Sequence, residues 1–534
     1  MQGASEWFLS AEERGNPAMA NNQSEESNLP WTVGNHVEPL IHGATYFSRL
    51  VSCLSRLSAG DQVWLTDWRG DDDELLGPSG PRLGELLAGL ANRGIEIRGL
   101  LWRSHPGMFG FNEKEASDLA GIVNSAGGVV LLDARVRRGG SHHQKLVLLL
   151  HPGRHDDDLA FVGGIDLCHG RRDDERHEGD PQAERLDPAF GPRPPWHDIQ
   201  AEVHGPAVGD LVETFRERWN DQTPLERRGF RLGRIKARAT GEPQIPDTLP
   251  HLGGTSAPAG THAVQVLRTY PIKRPPYPFA PEGERSIARM YSKALGRARS
   301  LIYVEDQYFW SEEIAALYEA ALVRAPDLRI IVVVPRHPDR NGKISGPTNR
   351  LGQLTMMGRL AEAGGERFAV YDLENEQGTA IYVHAKVVVI DDVLAMLGSD
   401  NMNRRSWTHD SELSIAVLDE ERDGREPRDP AGLGDGARRF ARDLRLRLWR
   451  EHLGATSDDG LLDPREGFER WRDTAEALDA WHDGEEQGDR PSGRIRSHRP
   501  RPVAAWQRSW AWPLYRTIVD PDGRPPALRR SHRF

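Results

Sequence analysis

Two short stretches decide how this chain is read: His143-Gln144-Lys145-Leu146-Val147-Leu148-Leu149-Leu150 and His384-Ala385-Lys386-Val387-Val388-Val389-Ile390-Asp391. Lysine is scarce, seven residues among 69 basic ones, yet two of the seven stand two places after a His. Each pair opens an apolar run of strand length. Side chains two apart on extended backbone face the same side, so each unit offers an imidazole and an ammonium to one point.

The likeness extends outward from both units. Downstream lie Ala160-Phe161-Val162-Gly163-Gly164-Ile165-Asp166 and Ala395-Met396-Leu397-Gly398-Ser399-Asp400-Asn401, each an apolar strand ending in a turn of small residues. Upstream, a strand Gln62 to Asp67 runs to Trp68, 75 residues before His143, and a strand Leu301 to Glu305 runs to Tyr308, 76 residues before His384. Phe47, Leu50, Val51, Leu54 and Leu57 fall at helical spacing, and Arg82 to Arg93 repeats the pattern ahead of a strand over Ile95 to Trp102. Ser286 to Arg299 and Ile314 to Val323 read as helices, with Leu328 to Val334 as a buried strand. Alternation of this kind predicts an α/β chain. The halves read as duplicated units, each supplying half of one site.

Boundaries follow from composition. Residues 1–35 read as an irregular arm, 36–241 as the first unit, 242–260 as a linker rich in Pro, Gly and Thr, 261–489 as the second unit, and 490–534 as a tail. The charged, Pro-rich Arg171 to Pro195 reads as a long loop, with Arg171, Arg172, Asp173 and Asp174 solvated. The tail carries eleven Arg against Asp520 and Asp522, a net of +9, which leaves −20 on residues 1–489 of a chain whose total is −11. An acidic body disfavours capture of nucleic acid, which depends on Lys and Arg neutralising phosphates.

At 534 residues, 38% apolar and 28% charged, with 15 Trp, the chain can bury a sizeable core. Its apolar runs fall far short of the roughly 18 residues a membrane span needs, and Met1 to Met19 lacks the order of a secretory signal. Cys53 and Cys168 are too few for a disulfide framework or a cysteine metal site. His142, His151 and His155 are irregularly spaced and read as no metal cluster. The Trp residues read mostly as core, with Trp310 and Trp407 adjoining motif segments.

The two units resemble the phospholipase D superfamily, marked by H-x-K-x4-D and a G-S-x-N turn present twice. The second copy matches in full with His384, Lys386, Asp391, Gly398, Ser399 and Asn401, whereas the first has Leu150 at the Asp position and Asp166 at the Asn position. Flanking segments resemble the eukaryotic-type phospholipases D: Pro195-Trp196-His197-Asp198-Ile199, Val203-His204-Gly205, Tyr303 through Phe309, and Arg405-Ser406 through Asp410-Ser411-Glu412-Leu413.

The resemblance implies two α/β/α domains, each with a mixed, mostly parallel sheet flanked by helices, packed as a pseudo-twofold pair. It implies hydrolysis of phosphatidylcholine-like phospholipids, with transfer to alcohols, through a phosphohistidine. Lys145, Lys386 and Asn401 would hold the phosphate, and Asp166 would take no part in that. His143 would attack and His384 act as general acid, although near-symmetry leaves these roles exchangeable. Asp198 would orient His143, and Glu412 would orient His384. No cofactor or metal is expected at the chemistry, calcium acting at most on lipid binding. The expected partner is a phospholipid surface, met by a monomeric, cytoplasmic, peripheral protein at the inner membrane face, with no nucleic acid. Other readings are a nuclease, a cardiolipin synthase-like transferase and an inactive scaffold.

Overall fold

The computed structural model describes residues 3–22, 29–104, 113–225, 248–251, 256–339, 345–531 and 533–534. In the first half the strands are β1 (Thr32–Ile41), β2 (Gln62–Asp67), β3 (Glu96–Trp102), β4 (Val129–Asp133), β5 (Leu146–Leu150), β6 (Leu159–Gly163), β7 (Trp196–His197) and β8 (Ile199–His204). The second half contributes β9 (His262–Tyr270), β10 (Glu284–Arg285), β11 (Leu301–Glu305), β12 (Arg329–Val333) and β13 (Phe368–Leu373). It continues with β14 (Tyr382–Val383), β15 (Val387–Ile390), β16 (Leu394–Gly398) and β17 (Glu412–Asp419), and β18 (Ile495–Ser497) follows near the C-terminus.

Strand order shows the duplication directly. The first half runs β4-β3-β2-β5-β6-β8-β1, the second β13-β12-β11-β15-β16-β17-β9, and antiparallel pairing of β1 with β9 fuses them into one sheet. Each half is mixed, as expected, but the parallel share is smaller than expected. Within this sheet only β2-β3-β4 and β11-β12-β13 are parallel, its other ladders being antiparallel, and the separate pair β7-β14 is parallel too. For two of these ladders the reason is chain length: eight residues separate β5 from β6 and three separate β15 from β16, too few for the crossover a parallel return requires.

Helices cover both faces. Gly43–Ser55, Leu83–Asn92 and Glu113–Ser125 bury Phe47, Leu50, Leu87 and Leu119 against one face of the first half. Ser286–Arg297 and Glu312–Arg324 do the same in the second, through Ile287, Met290, Ile314 and Tyr318. The opposite face is a single core shared by both halves, where Leu148, Val162, Val264, Val389 and Trp449 pack together.

The boundaries expected at residues 35 and 489 cut through this fold. β1 begins at Thr32, and the preceding segment docks on the second half, with Trp7 and Phe8 buried beside Ile287 and Met290. The Gln265 side chain binds both the N–H and the carbonyl of Leu9. The basic tail is docked as well, through β18 on β13 and Phe534 against Trp407. The linker 242–260 falls mostly outside the described residues.

Candidate functional site

The two His and Lys units meet where the halves face one another, and the backbone explains how. The His143 N–H donates to the Ser411 carbonyl at 2.9 Å, so His143 enters the site beside the residue preceding Glu412. In the other half the His384 N–H donates to the His197 carbonyl at 2.7 Å, and β7 pairs with β14, so His384 enters beside the residue preceding Asp198. Each motif therefore docks on the carboxylate segment of the opposite half.

That docking reverses the expected pairing of bases and carboxylates. Nδ1 of His143 lies 2.9 Å from Oε2 of Glu412, and Nδ1 of His384 lies 2.7 Å from Oδ2 of Asp198. Glu412 thus orients His143 and Asp198 orients His384, the opposite of the assignment implied by family resemblance. A carboxylate on one ring nitrogen fixes its hydrogen there and leaves Nε2 to act. Ser399, in the G-S-x-N turn, donates its hydroxyl to Glu412 at 2.6 Å, and Gly164 stands where a Cβ would come within 2.4 Å of Asp198 Oδ1. The two turns thus serve the carboxylates, one by a hydroxyl and one by making room.

Both ammonium groups are buried in the same site. Lys145 Nζ lies 3.2 Å from Asp166 and donates to the His143 carbonyl at 2.9 Å. Lys386 Nζ donates to the His384 carbonyl and lies 3.4 Å from Gln307 Oε1. Burial, only partly opposed by Asp198, pushes Lys386 down to about 8. Burial and then the cations of Lys386 and Arg171 push His384 well below its usual range. Burial raises Asp198 against the pull of Lys386. Asn401 is buried, and its Oδ1 finds no hydrogen-bond partner among the described residues.

Asp166 occupies the place of Asn401 in the first half but does different work. Burial favours its neutral form, yet Lys145 and Arg171 outweigh that and hold its carboxyl well below the usual range. Its partners are cations, so it neutralises and positions them.

The motif Asp proves to be a strand anchor. Asp391 accepts the N–H groups of Arg299, Ser300 and Leu301 at 2.8 to 2.9 Å, at the entry to β11. Leu150, its counterpart, is buried among Leu146, Leu148 and Trp64 in the shared core.

Several residues escaped the sequence reading. Arg171, Arg172 and Asp173 are buried rather than solvated. The Arg171 guanidinium sits 4.1 Å over the Trp196 ring, with Nη2 3.4 Å from Asp166. Its loop has no periodicity, and only the burial of its partners reveals it. Trp68 stands edge-on to His143 at 6.2 Å. Gln307, Tyr308, Trp310, Arg336, Tyr382 and Arg501 line a cleft that begins beside Lys386. Trp407, by contrast, is core, stacked on Tyr291. His142 binds Thr66, while His151 and His155 share Asp158, so they do not converge.

Known proteins resemble this chain in sequence and in fold. The phospholipase D family model matches residues 77–316, and the model of the cardiolipin synthase, PLD-like domain matches residues 291–423. The chain is 24% identical over 524 residues to phospholipase D alpha 2 of Oryza sativa subsp. japonica, covering 75% of this chain and 62% of that protein. It is 28% identical over 433 residues to phospholipase D A of Dictyostelium discoideum, covering 70% of this chain and 32% of the other. The chain thus spans less than two thirds of either relative. The phosphatidylserine synthase of Haemophilus influenzae Rd KW20 shares the fold, with a TM-score of 0.50 at 13% identity over 72% of this chain and 82% of that one. With related family models falling on both halves and a strand order repeated from one half to the other, the chain belongs to the phospholipase D superfamily.

Proposed function

We propose that this protein cleaves the phosphodiester of phosphatidylcholine-like glycerophospholipids, releasing the head group and leaving phosphatidic acid, and that it transfers the same phosphatidyl group to small primary alcohols. The observation that carries this reading is the crossed pair, His143 on Glu412 and His384 on Asp198, placed with Lys145, Lys386 and Asn401. Two imidazoles with oriented Nδ1 atoms suit a two-step displacement.

In the first step His143 Nε2 attacks phosphorus, the bond to the head-group oxygen breaks, and His384 delivers a proton to the departing alcohol. Negative charge growing on the free phosphate oxygens is met by Lys145, Lys386 and the Asn401 amide, which act without first having to reorganise. His384 gains its proton as the anionic phosphate arrives, because that anion offsets the cations that hold it low. Once the alcohol has gone, neutral His384 takes a proton from water or another alcohol, which attacks the phosphohistidine and frees His143. The two ammonium groups do for the phosphate what a metal ion would otherwise do, and the proposed chemistry needs none there.

A membrane surface supplies the substrate. Among the described residues no helix is long and apolar enough to cross a membrane. In this proposal the protein meets lipid as a peripheral monomer at the inner face. The charge of −20 over residues 1–489 favours a single phosphodiester over a polyanionic strand. The test is a substrate panel of labelled phosphatidylcholine, single-stranded DNA and RNA, with butanol present. Phosphatidylbutanol with intact nucleic acid is expected; cleaved nucleic acid with no lipid product overturns the reading.

A further inference from the structure

A second cluster of histidines lies behind the paired site. His42, just ahead of the helix Gly43–Ser55, His177 in the long loop, His197 in β7 and Glu451 in the helix Arg439–Leu453 direct four ligand atoms to within 4.8 Å of one another. The three His rings are buried, at centroid separations of 5.0, 5.3 and 5.7 Å.

Hydrogen bonds on the far sides of His177 and His197 fix what those two rings present inward, while His42 Nδ1 has no hydrogen-bond partner among the described residues. His177 Nδ1 faces the Trp196 carbonyl at 3.1 Å, an atom that only accepts, so Nδ1 carries the hydrogen. His197 Nε2 faces Glu305 at 2.7 Å, and Glu305 also receives His452 at 2.8 Å and the Tyr303 hydroxyl at 2.5 Å. That carboxylate, ionised by its donors, places the His197 hydrogen on Nε2. In the neutral forms of the two rings the inward atoms, His177 Nε2 and His197 Nδ1, therefore present lone pairs. They point at a carboxylate: His177 Nε2 is 3.0 Å and His197 Nδ1 is 3.9 Å from Glu451 Oε1, and His42 Nε2 is 2.9 Å from Oε2. His197 Nδ1 is buried and has no hydrogen-bond partner among the described residues.

Lone pairs facing a carboxylate repel it unless a cation stands between them. Either His177 carries a second proton on Nε2, or a metal ion takes the centre. The outer partners are those that orient metal-bound imidazole, a backbone carbonyl for His177 and a carboxylate for His197. His42 and His177 hold positive φ of 70° and 54°, conformations that non-glycine residues keep only when the surroundings impose them. Arg494 Nη1, 3.7 Å from Glu451 Oε1, and Asp173 Oδ2, 3.8 Å from His177 Nδ1, complete the surroundings.

We propose that His42 Nε2, His177 Nε2, His197 Nδ1 and Glu451 bind one divalent transition cation of the zinc class, in a closed structural site of three nitrogens and one oxygen. Three of its ligands come from the first half and one from the second. Its position gives it a purpose: the His197 carbonyl receives the His384 N–H, and Asp198 follows His197 directly. The ion therefore clamps the segment that aligns His384 while remaining off the phosphate. The proposal stands on this geometry and not on the choice of substrate.

The test is metal analysis of the full chain, expressed in zinc-supplemented medium and dialysed against metal-free buffer. About one zinc ion per chain is expected, with at least a fivefold loss in His177→Gln and Glu451→Gln and none in His143→Asn. Replacement of zinc by cobalt in the parent protein should give the visible absorption of a four-coordinate ion, a readout that stands even if the variants fail to fold. Parent protein that retains no metal after incubation with zinc chloride, or zinc retained equally by folded His177→Gln, overturns the proposal. So does a nitrogen NMR spectrum of zinc-incubated protein showing His177 doubly protonated.

Discussion

Asp198 Oδ2, in the first half of the chain, lies 2.7 Å from Nδ1 of His384 in the second, and Glu412 returns the exchange to His143 at 2.9 Å. Neither half holds a complete acid–base pair on its own. The fold thus ties catalytic competence to the association of the halves, which β1 and β9 secure by sharing a sheet.

The crossed pairing gives a specific expectation. Asp198→Asn and Glu412→Gln should each lower kcat by about 10² to 10⁴, since an amide no longer holds the useful tautomer or supports the imidazolium. In spectra of histidine-labelled protein, Asp198→Asn should displace the Nδ1 hydrogen signal of His384 and leave that of His143 in place, with Glu412→Gln doing the reverse. Displacement of the His143 signal by Asp198→Asn would restore the uncrossed assignment.

Lys386 sets the alkaline limit. With the free amine form appearing above about 8 because of burial, kcat/KM should fall as the pH rises through that value, the charge that steadies the phosphate being lost. Lys386→Arg keeps its charge at every such pH, so its residual activity should not show this fall. An alkaline limb unchanged in Lys386→Arg would place the titrating group elsewhere.

Arg171 acts on His384. Its guanidinium is among the cations that, after burial, hold His384 low, so Arg171→Gln should move the His384 ionisation upward, read by NMR titration of histidine-labelled free protein. A His384 ionisation that stays put would show that Arg171 only packs against Trp196.

The motif Asp should matter to stability and not to chemistry. Asp391→Ala leaves three N–H groups at β11 without their acceptor and should cost about 3 kcal/mol. Leu150→Asp, which buries a carboxylate in the shared core, should cost about 3 kcal/mol or more. Denaturant melts give these values, while kcat below the transition should stay within about threefold of the parent. A clear gain in kcat from Leu150→Asp would mean the first motif lacks a chemical group.

The sequence was most informative where chemistry and periodicity coincide. β2 and β11 occupy the spans read from the sequence, and the His and Lys units sit where two apolar runs begin. Which carboxylate serves which His was not legible, because it depends on backbone contacts between His143 and Ser411 and between His384 and His197, far apart in sequence. Where the arm and the tail dock was not legible for a related reason: Trp7, Phe8 and Phe534 are scattered apolar residues whose burial depends on partners far away in sequence. Arg171 looked solvated because charge without periodicity reads as surface, and only a buried Asp166 and the Trp196 ring make its place intelligible.

The central claim is a covalent relay between two histidines, and one measurement tests it most directly. Protein quenched during turnover of phosphate-labelled phosphatidylcholine, under conditions that spare acid-labile phosphohistidine, is digested and the labelled peptide sequenced. Label on His143, absent in His143→Asn and accumulating in His384→Asn, with both variants slowed by more than about a thousandfold at steady state, is the predicted result. Full turnover with no phosphate ever bound to protein, and phosphatidic acid as the sole product in butanol, would contradict it.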